Sequence, residues 1–319
     1  MTEHRMVNSS SIWTEAGTDD AYEWYRTHER FADLRAWMDK ASYEEGLLHY
    51  LDGNFLDQLR NHDFFARLWE LELAEWLWLT RLELIPTDGS GPDFCVMVDD
   101  KKVWIEAALV TPGDELTKIH ESMLKSEGLS DYPKDQMTLR YSSSLYTKAT
   151  KIKSNYIDRG VVSSEDIILI AISGFPPTGA LSPDIEHFQR AVIPMGDPVI
   201  HFRTDGGALD PKIPRSTHTS MPTQEKSNGT TVLKQFLYPG DNFPFIDGVM
   251  FTEASNLQGL LGVSSSRFDE STNVPHIFPN FASLKAIPTE LSDNFYLHKF
   301  TENPSLISVE TIDPVKKLM

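Results

Sequence analysis

Between Gly91 and Ala108 the chain reads GPDFCVMVDDKKVWIEAA, two short alternating runs joined at Asp99-Asp100-Lys101-Lys102, a polar cluster that turns a hairpin. Closing the turn there sets Val98 opposite Val103, Val96 opposite Ile105 and Cys95 opposite Glu106. Side chains alternate faces along a strand, so one face carries Phe94, Val96, Val98, Val103, Ile105 and Ala107 and belongs against a core. The other carries Asp93, Cys95, Met97, Trp104, Glu106 and Ala108, with Glu106 diagonal to Asp93 at a Cβ separation of roughly 7 Å. Two carboxylates on a largely apolar face repel each other and lose hydration, which calls for a cation between them. Oxygen ligands at this spacing suit a hard divalent ion, Mg²⁺ with Mn²⁺ as its substitute, bound through one or two carboxylates, water and substrate phosphate. The competing reading is a hairpin at a sheet edge with both acids in water.

Gly91-Pro92-Asp93, a hairpin, then Trp104-Ile105-Glu106 resembles the PD-(D/E)XK nuclease superfamily, the restriction-endonuclease-like fold, in which the Asp and the Glu bind Mg²⁺. The likeness covers residues 60–175 and takes in a preceding helix with Trp69-Glu70-Leu71-Glu72-Leu73, from which that superfamily often adds a metal-site Glu. It implies a mixed sheet flanked by helices and hydrolysis of phosphodiester bonds in nucleic acid, DNA foremost, although the sequence does not separate DNA from RNA. The third motif position, normally Lys, is Ala108. In the register above Ala108 stands opposite Asp93, so the missing cation has to arrive from elsewhere or catalysis is impaired.

The segment His62 to Leu82 reads as a helix with Asn61 or Asp63 as N-cap. Projected at 100° per residue, Phe65, Leu68, Trp69, Trp76 and Leu79 share a face with Glu72, while Glu70 lies nearly opposite. The projection favours Glu72 as the helix carboxylate at the site and the resemblance favours Glu70; either could instead pair with Arg67 or Arg81. A second helix is expected from Asp135 to about Ile157, with Arg140, Ser144, Lys148 and Lys151 on one stripe. Facing the hairpin, Lys148 or Lys151 would supply the cation absent at Ala108 and act in catalysis beside Asp93 and Glu106, while Arg140 and Ser144 would bind substrate. The alternative is a solvated basic face. Ile167 to Ile172 is a continuous apolar run bounded by polar residues, which predicts a strand buried on both faces. A helix, a hairpin, a helix and a buried strand make an α/β sandwich, the restriction-endonuclease-like fold of the resemblance.

The remaining chain divides into an N-terminal helical segment, 1–60, whose first 18 residues read as polar and frayed, and an α/β domain, 61–319. Strands are expected at Arg81–Ile85, Ala191–Ile193, Val199–Phe202, Phe245–Thr252 and Pro275–Phe281, with an acidic surface excursion at Asp114–Glu127. A long polar loop is expected at 204–231, and extended or irregular chain at Ile287–Lys299. With 40% hydrophobic and 24% charged residues the chain is globular rather than disordered. Its single cysteine rules out an internal disulfide and suits a reducing compartment. No apolar run approaches the ~20 residues a membrane span needs, and no signal-peptide pattern opens the chain, so the expected location is cytoplasmic. The scattered histidines show no zinc spacing, and there is no Gly-rich phosphate loop or GxSxG motif. A formal charge of −18 argues against a broad basic footprint for nucleic acid, and against it stands one basic segment, Pro133–Gly160. A non-catalytic binding or scaffold protein of the same fold is the rival reading.

Overall fold

The computed structural model describes residues 11–87, 89–110, 134–173, 185–199, 217–225, 229, 231–233, 236–237, 243–252, 275–280, 283, 285–303 and 306–314. Four helices open the chain, α1 (Asp20–Thr27), α2 (Ala32–Asp39), α3 (Phe55–Asn61) and α4 (Phe64–Leu79), linked by short 3₁₀ and π turns. Three strands follow, β1 (Glu83–Ile85), β2 (Phe94–Val98) and β3 (Lys101–Leu109), then helix α5 (Lys134–Ile152) and strand β4 (Ile167–Ser173). Beyond these come α6 (Ile185–Val192), β5 (Met195–Pro198), β6 (Thr217–Ser220), β7 (Thr223–Glu225), β8 (Thr231–Leu233), β9 (Gly248–Thr252), β10 (His276–Pro279), α7 (Thr289–Ser292), β11 (Tyr296–Asn303) and β12 (Leu306–Ile312).

All strands but β7 and β8, which pair with each other, join one mixed sheet in the order β1-β2-β3-β4-β9-β10-β11-β12-β6-β5. Its centre is parallel, β3 to β4 to β9, with the antiparallel β1-β2-β3 meander on one side. Strand β4 is buried at every position because helices cover both faces of the sheet. Phe94, Val96, Val103, Ile105, Ile167 and Leu169 pack with α4 and the N-terminal helices. Cys95, Trp104, Ala108, Ile168 and Ile170 pack with Met137, Tyr141, Leu145, Ala149 and Ile152 of α5 and with α6. The protein is therefore a mixed α/β fold with helices on both sides of a large sheet. No helix of the described residues is long and apolar enough to cross a membrane.

The hairpin faces are those expected, but its register differs. Val98 pairs with Lys101, Val96 with Val103, Cys95 with Trp104 and Phe94 with Ile105. The turn is the two-residue Asp99-Asp100, both with positive φ (49° and 61°), in place of the four-residue turn expected. Asp tolerates the left-handed region better than most residues, and two positive φ values give the tight turn whose twist matches a hairpin. The slip is two residues, so every side chain keeps its face. Carried one step past Phe94 and Ile105, this register sets Asp93 level with Glu106 rather than opposite Ala108.

Other expectations are corrected as well. Ala191 and Val192 end helix α6 instead of forming a strand, because Phe188, Ala191 and Val192 make a buried helical face. Val199 is outside any strand, and 200–202 lie outside the described residues. Ile12–Thr14 is an ordered 3₁₀ turn whose Ile12 and Trp13 are buried, not frayed chain; residues 1–10 lie outside the described ones. Within 204–231 the structure places β6 and β7, and Ile287–Lys299 contains α7 and the start of β11. The excursion at 114–127 also lies outside the described residues.

Candidate active site

Asp93 and Glu106 reach one site because the β2-β3 parity puts them on the face covered by α5. Gly91 matters for the approach, since a Cβ there would sit 2.8 Å from the Trp104 ring; without one, Gly91-Pro92 lies over the indole and delivers Asp93 to the strand end. The Asp93 Oδ2 accepts a hydrogen bond from the Ala107 N–H at 2.7 Å. Glu106 has no solvent exposure. Its Oε1 accepts from Lys148 Nζ at 3.0 Å and from Lys151 Nζ at 2.7 Å. Its Oε2 has no hydrogen-bond partner among the described residues.

The basic stripe of α5 thus faces the hairpin, at least through Lys148 and Lys151, which are three apart and so share a side of the helix. Arg140 begins about 12 Å back along the axis from Lys148. It and Ser144 are half-buried and line neither of the two clefts at the site. Ala108 is buried on the α5 side of the sheet, so no cation stands at the third motif position of the strand.

From the opposite helix layer comes Glu70, 6% exposed, whose Oε2 accepts from Arg67 Nη1 at 2.5 Å. The ordinary Arg67 partnership weighed from sequence is real, yet Glu70 also feels the carboxylates of Asp93 and Glu106 and the ammonium of Lys148. Glu72 is buried too, but two residues turn an α-helix by about 200°, and it lines neither cleft. The projection pointed to Glu72 because it assumed one buried face, whereas α4 is buried almost all round, from Leu68 to Leu77. Asp63 occupies the N-cap position of α4 without a side-chain cap bond.

The electrostatics of the cluster are strained. Burial, then the neighbouring Asp93, push the Glu70 carboxyl up to about 8, against the opposing pull of Arg67 and Lys148. Burial and Glu106 push Asp93 up to about 6, with Lys148 and the Ala107 N–H working the other way. For Lys151 burial opposes the charge, but the Glu106 carboxylate and its hydrogen bond outweigh it and hold the ammonium above its usual range. Its Nζ also sits 5.9 Å from the Tyr156 ring centroid; burial, followed by Glu106, raises the Tyr156 phenol.

Two clefts open on the cluster and share Arg67 and Glu70. The smaller, 170 Å³, is lined by Gly91, Pro92, Asp93, Lys151 and Tyr156 among others. The larger, 640 Å³, runs along the start of α4 past Phe65 and Trp69 to Lys148 and Ala107. Sequence reasoning offers Arg67 only as a partner for a helix Glu and does not bring Tyr156 to the site. The helical spacing of Arg67 to Glu70 was the available signal for the first; nothing local marked the second.

The donor set fits a hard cation in a limited way. Glu106 Oε2 is an orphaned buried acceptor, and Asp93 has spent only one oxygen on the backbone. Among the described residues no group of three or more His, Cys, Asp and Glu stands ready to chelate an ion, so one held here would complete its shell with water and substrate oxygens. No family model matches the chain, and no match was found to a curated protein or to a solved structure.

Proposed function

We propose that the protein hydrolyses phosphodiester bonds of nucleic acid with Mg²⁺, as a nuclease-like member of the PD-(D/E)XK type, built on the restriction-endonuclease-like fold. The observation that carries this reading is the pair of ammoniums, Lys148 and Lys151, within 3.0 Å of Glu106 from the helix that follows the hairpin. A positive charge absent from Ala108 is thereby restored at the acids by another element. Asp93 and Glu106 would hold the ion, with Glu70 as the third carboxylate. When bound, such an ion polarises the scissile phosphate and makes a coordinated water more acidic.

In the ion-free site Asp93 is deprotonated only above a raised pKa of about 6, so ion binding and activity would set in above that pH. The attacking water gives its proton to solvent and the leaving oxygen takes one from it, since Glu70 must be deprotonated to join the carboxylates that would hold the ion. Lys148 and Lys151 offset the charge that accumulates on the phosphate oxygens, a contribution whose loss costs on the order of 10²-fold in rate. Arg140 and Ser144 would hold a neighbouring phosphate at the far end of the stripe.

Ala108 together with the charge of −18 favours a second reading, a binding or scaffold protein that keeps the architecture without cleavage. Purified protein assayed with Mg²⁺ and Mn²⁺ on single- and double-stranded DNA and RNA separates the two. The hydrolytic reading expects cleavage that is lost in Asp93→Asn and cut at least 100-fold in Lys148→Met or Lys151→Met with the fold intact. Full activity in both lysine variants removes their role, and an inactive wild type across the panel leaves the binding reading.

A further inference from the structure

Hydrolysis at the acid cluster leaves the larger cleft without a role. Its 640 Å³ falls in the range of roughly 300–1,000 Å³ of small-ligand sites, and its lining divides by chemistry. Arg67 and Lys148 stand where it meets Glu70, while Phe65 and Trp69 give it aromatic walls. Asp20 and Asp63 line it at the starts of α1 and α4. From Asp63 to Arg67 the helix rises about 6 Å, with Lys148 reaching the groove from α5, so acids at the helix starts and two cations line different parts of one groove. Asp19 fixes the helix starts, capping the Tyr22 N–H at 3.0 Å and accepting from the Phe64 N–H at 3.3 Å, which ties the two together. Trp69 is 3% exposed, and its indole N–H has no hydrogen-bond partner among the described residues.

We propose that this cleft takes one unpaired nucleobase of the substrate strand, with its exocyclic amino group at Asp20 and Asp63 and the attached phosphate at Arg67 and Lys148. The inference rests on the phosphodiesterase reading and narrows it to single-stranded or locally opened nucleic acid. Every base has a flat π-face that stacks on an aromatic side chain, and a carboxylate accepts from a base amino group such as cytosine N4. A phosphate is excluded from the acids by like charge and drawn to Arg67 and Lys148. A base inside a duplex cannot enter such a cavity without being extruded. Gripping one nucleotide in a cleft also removes the need for a broad basic surface, which reconciles the charge of −18 with a polyanionic substrate.

Fluorescence anisotropy in EDTA would compare hexamers of deoxycytidine, deoxythymidine and an abasic backbone. The deoxycytidine strand is expected to bind at least tenfold tighter than the abasic one, the size of a lost stacking contact, and tighter than deoxythymidine. Phe65→Ala should remove the first difference. Since Phe65 also packs on Tyr25 and Phe64, Asp63→Ala, which removes the acceptor and loses no side-chain cap bond, serves as the second variant and should weaken the cytosine preference. Equal binding of the abasic strand overturns the inference, and free 5′-dCMP binding as tightly as the hexamer overturns the strand as its source. Cleavage is scored separately with Mg²⁺: base-independent cleavage leaves hydrolysis standing and the pocket refuted, whereas base-dependent binding without cleavage does the reverse.

Discussion

Replacing Glu70 with Gln should stabilise the metal-free protein at alkaline pH and leave it unchanged in acid. Gln keeps the shape and a carbonyl oxygen for the Arg67 Nη1 that now stands 2.5 Å from Oε2, but it cannot ionise. The carboxyl is raised from its ordinary 4.5 to about 8, chiefly by burial and then by Asp93. A group whose pKa is raised on folding binds its proton more tightly in the native state. The unfolded chain therefore ionises first, and stability falls as pH climbs from 4.5 to about 8, then levels. A rise of that size corresponds to roughly 4–5 kcal/mol at its limit. Part of it belongs jointly to Asp93, so the gain from replacing Glu70 alone is smaller than that limit. Urea unfolding in EDTA at pH 4.5, 7 and 9 reads the difference directly. The variant should match wild type at pH 4.5 and exceed it at pH 9. A variant less stable at pH 9 would mean that Glu70 is ionised and held as a favourable ion pair with Arg67, and the account of a strained acid cluster would fail.

Mn²⁺ affinity, measured by calorimetry, should climb between pH 5 and 8 as Asp93 and then Glu70 lose the protons that burial helps them keep; a flat profile would refute their share in binding. Cys95, 1% exposed with its thiol pushed up to about 11 by burial, should resist thiol reagents in the native protein and react freely in urea, so rapid native labelling would place it wrongly. Leu169→Ala, at a fully buried position in the central strand, should cost about 2–5 kcal/mol in chemical denaturation, and a loss under 1 kcal/mol would argue against the tight packing on either side of β4.

The site was legible where its geometry depends on parity and illegible where it depends on rotation or long-range pairing. Alternation put Asp93 and Glu106 on one face, and a register error of two residues could not disturb that. The four- and three-residue steps of α5 put Lys148 and Lys151 on one side of a helix, and the buried run at Ile167 fixed what the helix packs on. Glu70 against Glu72 needed the rotation of α4, whose apolarity runs round the whole helix and marks no side. The C-terminal half was harder because its strands are short and pair across distant sequence. His276 and His298, scattered in the sequence, lie on adjacent parallel strands with Nδ1 and Nε2 2.8 Å apart, a contact visible only once β10 and β11 are aligned. Ala191–Ile193 failed for a different reason: a β-branched pair at a helix end reads locally as strand, and packing of α6 against Phe251 and Phe278 decides otherwise.

The hairpin turn offers a test of what sets that register. Asp99 and Asp100 both sit at positive φ, where an ordinary side chain costs roughly 1–2 kcal/mol and Asn-Gly is the favoured pair. Asp99 also shares a hydrogen bond with the Glu290 carboxyl, which raises its pKa and leaves two acids facing each other. The double substitution Asp99→Asn, Asp100→Gly should therefore stabilise the protein by about 1 kcal/mol through the backbone, with a larger gain at pH 7 than at pH 3, because it removes the Asp99 carboxyl whose ionised form Glu290 disfavours. Urea midpoints at the two pH values measure it. If instead the turn were the four-residue loop through Lys102, the new Asn-Gly would force a two-residue slip and carry Asp93 from opposite Ala108 to level with Glu106. A large change in metal binding on substitution would then expose the register as wrong. Unchanged metal binding with a raised midpoint would show that the turn holds the two carboxylates level, and that the acids occupy one site because of backbone geometry rather than because an ion draws them together.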